Sequence, residues 1–401
     1  MEESKKTIHV FTRFFYPVVG GMEINILNTY CNFVKKGWDV TIHTTKDSLS
    51  EKNIFPQKDI VSGMTIKRCR RTFYALNTLN REIYKNGNLL VLHDLDISGQ
   101  ILIYLRTLVF KLLGCKKYSF IFSSHGLFNY DSNVYPGIKI KTRAFIQNSI
   151  GVFLINKCVD GIRAVSNFEK EGLVKAGVKE SLINIITNGL EEETFKDIEE
   201  MASEKIKSCV KKTGDYIVQV GKIDRVKNYE VVIKALGKLP SNISYLIAGG
   251  ESDADYKREL INLINDLGLE NRVIFLGVIQ GIDKYYLMKH SLAMVHLARS
   301  EGFGNAVHEG MSQGLVCITS NRGNLPDLVK NEVNGYCLDP DDYEGLAKKI
   351  NFVLENKNSS KILEMEKRNE DFAVSHSWQN VAEKVERFYL QQFNLTKNLP
   401  I

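Results

Sequence analysis

The sequence lacks paired cysteines, a membrane-length apolar run and a leader-like start, and each absence removes a class of protein. Its seven cysteines are scattered with no C-x-x-C pair, which argues against a zinc ribbon or a dithiol redox centre. They read as reduced, mostly packing residues. The longest greasy stretch, residues 101–113, is interrupted by Arg106 and Lys111 and falls short of a spanning helix. No early segment combines a basic start, an apolar run and a small-residue cleavage site. A cytoplasmic protein is therefore expected, with peripheral contact to the inner face of the membrane as an open possibility. His290, His296 and His308 show no recognised metal-ligand spacing, so no metal and no cofactor are expected.

What is present suits a soluble globular chain. At 401 residues, 44% of them apolar, the sequence exceeds what one core usually fills, so two domains are expected. The net charge of +6 is uneven. Residues 1–196 hold 27 Lys+Arg against 18 Asp+Glu (+9), and the remainder holds 26 against 29 (−3). A basic first half suits an anionic partner, and it equally suits ordinary solvated surface. The basic, apolar segments 100–117 and 139–157 could rest on an anionic bilayer or simply cover a sheet. No nucleic-acid partner is expected.

Apolar runs at 8–12, 40–44, 64–69, 89–93, 119–123, 161–165 and 182–186 read as strands, with helical patterns between several of them, including a helix at 22–36. Residues 191–212 turn charged and read as an interdomain connection, part of it helical. A second alternating series follows, with strands at 216–220, 243–248, 273–276, 292–296 and 316–319 and a terminal helix at 379–393. Strand–helix alternation predicts parallel sheets covered by helices. The expected division is a domain at 1–195, a second at 213–376, and a C-terminal segment 377–401 packing back on the first. Ligands of such sheets bind beyond the carboxyl ends of the strands, so two facing edges would form a cleft.

The most informative stretch runs from Ser300 to Met311, after an apolar strand and into a helix. Gly302 and Gly304 allow close backbone approach by a ligand, and the helix start at Asn305 offers unpaired N–H groups for a diphosphate or polar sugar. Glu309 can accept two hydrogen bonds from a ribose diol, and Glu301 can hold sugar hydroxyls. The same residues would also serve as plain helix capping. Directly after the strand at 216–220, Lys222 and Lys227 put cations on one loop. Breaking a sugar–phosphate bond leaves negative charge on the departing diphosphate, which fixed cations stabilise in place of a metal.

Together these segments resemble the retaining family 4 glycosyltransferases (GT4), whose fold is GT-B: two Rossmann-like α/β domains with parallel sheets facing across a cleft. The spacing of Glu301 and Glu309 matches the family's E-x7-E signature, and Gly221, Lys222 and Lys227 match its G-R/K-…-K segment. Gly20-Gly21-Met22-Glu23 looks like its G-G-x-E, and His125 in Ser124-His125-Gly126 occupies the place of its active-site histidine. The resemblance implies that Glu309 binds ribose and that Glu301, Phe303 and Gly304 hold the donor sugar. It further implies that Gly20, Gly21, Lys222 and Lys227 meet the diphosphate, and that His125, Lys227 and Glu301 carry catalysis. Gly323-Asn324-Leu325-Pro326-Asp327 departs from the family in its Asp, and Gly310 stands where alanine is usual.

The implied reaction is transfer of a hexosyl or N-acetylhexosaminyl group, without a metal and with retention, from a nucleotide sugar to a glycan or lipid-linked acceptor. A UDP-linked donor is favoured. A GT-B epimerase or hydrolase, or a silent sugar-nucleotide-binding protein, is the alternative. Two D-x-D triplets, at Asp94 to Asp96 and Asp339 to Asp341, would instead suggest a metal-dependent transferase, and the lysines make that reading unnecessary.

Overall fold

In the computed structural model the described residues are 6–17, 20–46, 56–69, 80–85, 87–93, 97–125 and 138–397. They form two compact units, one comprising residues 1–189 and 378–401 and the other 190–377.

The first unit is built on eight strands: β1 (Thr7–Phe11), β2 (Asp39–Thr45), β3 (Lys58–Val61), β4 (Met64–Cys69), β5 (Asn88–His93), β6 (Ser119–Ser123), β7 (Gly161–Ala164) and β8 (Ile183–Ile185). Their spatial order is β3-β4-β2-β1-β5-β6-β7-β8. All neighbours are parallel except β3 and β4. The central strands are apolar on both faces because helices cover both. Tyr30 and Phe33 of the helix Gly21–Lys35 pack one side, and Tyr104 of the helix Ile97–Leu112 packs the other. The order reverses between β1 and β5, which places the chain segments after those strands at a switch point.

The helix Trp378–Lys397 belongs to this unit. Trp378, Val381, Val385 and Tyr389, at helical spacing, are buried with Phe33 and Trp38. Gly189 is required beneath it: a Cβ there would lie 2.8 Å from the Trp378 Cα.

The second unit carries β9 (Tyr216–Val220), β10 (Ser244–Ala248), β11 (Val273–Gly277), β12 (Ala293–His296), β13 (Cys317–Ser320) and β14 (Gly335–Leu338), in the order β11-β10-β9-β12-β13-β14. Here the reversal lies between β9 and β12, and every pair is parallel.

Two departures from the sequence reading have physical causes. The stretch 191–212 is not a free connection but part of the second unit, which begins at Leu190 rather than after 212. Ile198 and Ile206, on the short helices Ile198–Met201 and Glu204–Thr213, and Ala202 in the break between them are buried, and their charged neighbours mask them in a composition reading. Strands β3 and β14 carry no readable signal. β3 is a half-exposed edge whose Ile60 faces solvent, and β14 opens on Gly335, where a Cβ would meet the Cys317 oxygen at 2.3 Å.

Candidate functional site

The loops after β9 and β12 lie side by side because those strands are neighbours at the reversal of the second sheet. That adjacency joins Lys227, from the first loop, to Glu301, from the second: Lys227 Nζ is 2.6 Å from Glu301 Oε2. His296, the last residue of β12 and buried, places its Nε2 2.9 Å from the same oxygen. Burial alone would raise the Glu301 pKa, but Lys227 and His296 outweigh it and hold the carboxyl well below the usual range. Glu301 is therefore ionised at neutral pH. Burial lowers the His296 pKa despite Glu301, so the imidazole is a neutral Nε2–H donor to the carboxylate.

The loop carrying Lys227 is pinned on several sides. Asp224 caps the short 3-10 turn Arg225–Lys227 by accepting from the Lys227 N–H. The Gln219 amide donates to the Lys227 carbonyl at 2.9 Å. Asn228, buried and left-handed at φ 57°, donates to the carbonyls of Leu297 and Pro340. Lys222 is exposed, and its ammonium makes no polar contact among the described residues, while its carbonyl accepts from the Tyr229 hydroxyl at 3.4 Å. It leaves the same backbone corner, because the Tyr229 hydroxyl donates to the Gly221 carbonyl at 2.7 Å and a Cβ on Gly221 would lie 3.9 Å from Lys227 Cε.

The turn Glu301–Gly304 is shaped from behind by Gly323 and Asn324. Asn324 donates its backbone N–H to Glu301 O and its side-chain amide to Phe303 O, both at 2.9 Å. Gly304, at φ 98°, leads into the helix Asn305–Met311. Gly310 stands in place of alanine because a methyl there would lie 2.5 Å from the Met294 sulfur.

Glu309 does not reach either expected lysine. Its Oε1 lies 2.9 Å from the ammonium of Lys284, a buried lysine on the helix Gly281–Lys289. Burial disfavours the charge on Lys284, but Glu309 and Glu191 together overcome it and raise the pKa. Glu191 also accepts from the Tyr285 hydroxyl at 3.0 Å. His296, Lys284 and Glu191 are the members of these networks that sequence reasoning missed. His296 carries no sequence signal beyond the lack of metal-ligand spacing, and Lys284 sits in a helix with no motif around it.

In the first unit Gly20 is the extended residue before the helix Gly21–Lys35, and Glu23 lies in its first turn, favourable for the helix dipole. His125 follows β6, with its Nε2 2.8 Å from Nδ1 of His93. Burial lowers the His125 pKa to about 3, and the charge of Arg163 adds to the effect. Gly126, Asp94 and Asp96 lie outside the described residues. The second D-x-D is occupied by ion pairs, Asp339 with Arg322 and Asp341 with Arg299.

Comparison with known proteins gives this geometry a family. Residues 19–194 match the family described as Glycosyltransferase Family 4, and residues 201–370 match Glycosyl transferases group 1. The chain is a family 4 glycosyltransferase.

The phosphatidylinositol N-acetylglucosaminyltransferase GPI3 subunit of Saccharomyces cerevisiae is 23% identical over 94% of this chain and 81% of its own length. An uncharacterised glycosyltransferase of Methanocaldococcus jannaschii is 28% identical over 52% of this chain and 54% of its own. A Campylobacter jejuni α-1,4-N-acetyl-D-galactosaminyltransferase, named for an undecaprenol diphosphate-linked glycan, is 29% identical over 40% of this chain and 45% of its own. Among solved structures, Anabaena HepE in complex with UDP and glucose superposes with a TM-score of 0.75 at 18% identity, covering 96% of this chain and all of that one. The fold of this glycosyltransferase is GT-B.

Proposed function

We propose that this enzyme transfers a hexosyl or N-acetylhexosaminyl group from a UDP-sugar, with retention and without a metal, to a hydroxyl of a lipid-linked glycan. The observation that carries the reading is the contact of Lys227 with Glu301 at the sheet reversal, a cation and a sugar-binding carboxylate at one point. Lys227 and Lys222 take the donor diphosphate, and Gly20 and Gly21 are further diphosphate-binding residues. Glu301, with the turn through Gly302, Phe303, Gly304 and Asn305, holds the sugar hydroxyls, and Glu309 takes the ribose diol. His125 meets the reacting sugar. The acceptor oxygen bonds to the anomeric carbon on the face the phosphate leaves. The bond to the phosphate oxygen breaks, and that oxygen takes the acceptor's proton. The lysines supply the positive charge this step needs. The names of the yeast and Campylobacter relatives support N-acetylhexosamine and a lipid-borne acceptor.

The test is UDP release from UDP-GlcNAc, UDP-GalNAc and UDP-glucose, with and without lipid-linked acceptors and in the presence of EDTA. Acceptor-dependent release that survives EDTA is expected. Release without any sugar appearing on an acceptor would instead identify a hydrolase. Glu309→Ala should raise the donor KM by about tenfold or more with the fold intact, since a ribose diol loses its acceptor and Lys284 its partner. An unchanged KM would remove Glu309 from the ribose.

The lipid acceptor gives meaning to an apolar face of the first unit. Leu105, Val109, Leu112 and Leu113 recur at helical spacing on the helix Ile97–Leu112 and just beyond it, and are 46%, 49%, 78% and 71% exposed. On the segment packed beside it, Phe145 and Phe153 are 73% and 55% exposed. Lys111, Lys117, Lys141 and Lys157 are exposed among them. Among the described residues no helix is long and apolar enough to cross a membrane. Apolar side chains ringed by lysines suit the surface of an anionic bilayer. The protein is expected to sediment with phosphatidylglycerol vesicles at low salt and not with phosphatidylcholine vesicles. A Leu112→Ser, Leu113→Ser, Phe153→Ser variant should lose at least about tenfold in vesicle affinity. Equal binding by the variant would refute the surface.

A further inference from the structure

Behind His125 lies a buried polar chain that the proposed reaction does not use. β5 and β6 pair in register so that His93 stands opposite Ser123, which stacks the His93 ring on the His125 ring at 5.1 Å. His93 Nδ1 lies 2.8 Å from His125 Nε2, and its other nitrogen, Nε2, lies 2.8 Å from the Tyr30 hydroxyl. Tyr30 is 3.2 Å from the hydroxyl of Tyr389, on the C-terminal helix. Tyr30, His93 and Tyr389 are fully buried.

We infer that Tyr30 and His93 are positioning residues that hold His125 as the Nδ1–H tautomer, so that it presents a hydrogen-bond donor to an oxygen of its substrate. The direction follows from counting protons. Tyr389 has Tyr30 as its one hydroxyl partner among the described residues, so its proton must go to the Tyr30 oxygen, because a buried donor is rarely left unpaired. Tyr30 then spends its own proton on His93 Nε2. Burial holds both imidazoles neutral at physiological pH, so each carries one proton. With Nε2 accepting, the proton of His93 sits on Nδ1 and is donated to His125 Nε2. The single proton of His125 is thereby confined to Nδ1. Ser123 Oγ, 3.5 Å from the same Nε2, can only reinforce that outcome by donating.

The chemical consequence rests on the reading that His125 meets the donor sugar. An Nδ1–H group donates to a sugar hydroxyl or phosphate oxygen and cannot act there as a base. The experiment is a two-bond 1H–15N correlation spectrum of the full-length protein labelled with 15N-histidine, with His125 assigned by its loss in His125→Gln. Both His93 and His125 are expected as neutral Nδ1–H forms at pH 7. Tyr30→Phe should convert part of His125 to the Nε2–H form and lower kcat about tenfold while leaving the donor KM unchanged. Tyr389→Phe removes a hydroxyl from the same cluster but leaves Tyr30 only His93 to donate to, so the Nδ1–H form should persist. That contrast separates tautomer control from general loosening of the core.

Wild-type His125 protonated at Nε2, or a Tyr30→Phe spectrum identical to wild type, would overturn the inference. Wild-type protein that shows the Nδ1–H form and transfers no sugar would sustain the relay and overturn the assigned reaction.

Discussion

Lys227→Ala is expected to lower kcat for nucleotide release by about 100-fold to 1,000-fold, the loss typical of removing one preorganised group from developing negative charge. Two effects act together. In the proposed site the departing diphosphate loses the cation paired with Glu301. Glu301 also loses its strongest stabilising neighbour, which leaves neutral His296 at 2.9 Å against the burial that drives its pKa upward. Part of Glu301 would then be protonated and unable to accept two sugar hydroxyls. The fold should survive, because the loop is also held through the backbone of Lys227 and the side chains of Gln219 and Asn228, which the substitution leaves in place. Lys227→Arg should recover part of the loss by restoring charge at a different geometry. Steady-state kinetics with a melting curve for each variant decides the point, and a kcat within threefold of wild type would sink the assignment.

Gly323→Ala should be nearly as damaging while touching no substrate. Gly323 has φ 61°, and a Cβ there would lie 2.2 Å from the carbonyl oxygen and 2.7 Å from the nitrogen of Glu301. Both obstructing atoms are backbone, so the side chain has nothing flexible to push aside. The Glu301–Gly304 turn must move, and with it the two hydrogen bonds from Asn324. Displacement on the order of 1 Å at a group that positions substrate costs about 100-fold in turnover. Left-handed strain adds roughly 1–2 kcal/mol of instability, a fall of several degrees in Tm for a unit of this size. Gly268→Ala is the matched control: φ 65° and nothing within 4 Å of the added methyl. It should lower Tm and leave kcat alone. If Gly323→Ala behaves like Gly268→Ala, the buttress has no part in shaping the site.

Much of the fold was legible because its signals are local. Runs such as residues 89–93 and 119–123 are apolar on both faces, as buried parallel strands must be, and the glycines around Glu301 mark a turn that other residues resist. The buried residues Ile198, Ala202 and Ile206 were hidden by their charged neighbours, which moved the expected boundary into the body of the second unit.

The candidate site divides in the same way. Glu301 and Glu309 stood out as candidates because a glycine turn and the E-x7-E spacing lie close together along the chain, and Lys227 because its basic loop directly follows a strand. Lys284 meets Glu309 from a helix that is 25 residues earlier, and Tyr30 and Tyr389 meet beside His93 although 359 residues separate them. The sequence by itself determined the α/β class, the family and which charged residues stand on loops after strands, because those depend on short-range pattern. Only the tertiary structure decided which carboxylates Lys227 and Lys284 neutralise and which nitrogen of His125 carries its proton, because both depend on strand order and on burial, and neither leaves a periodicity in the chain.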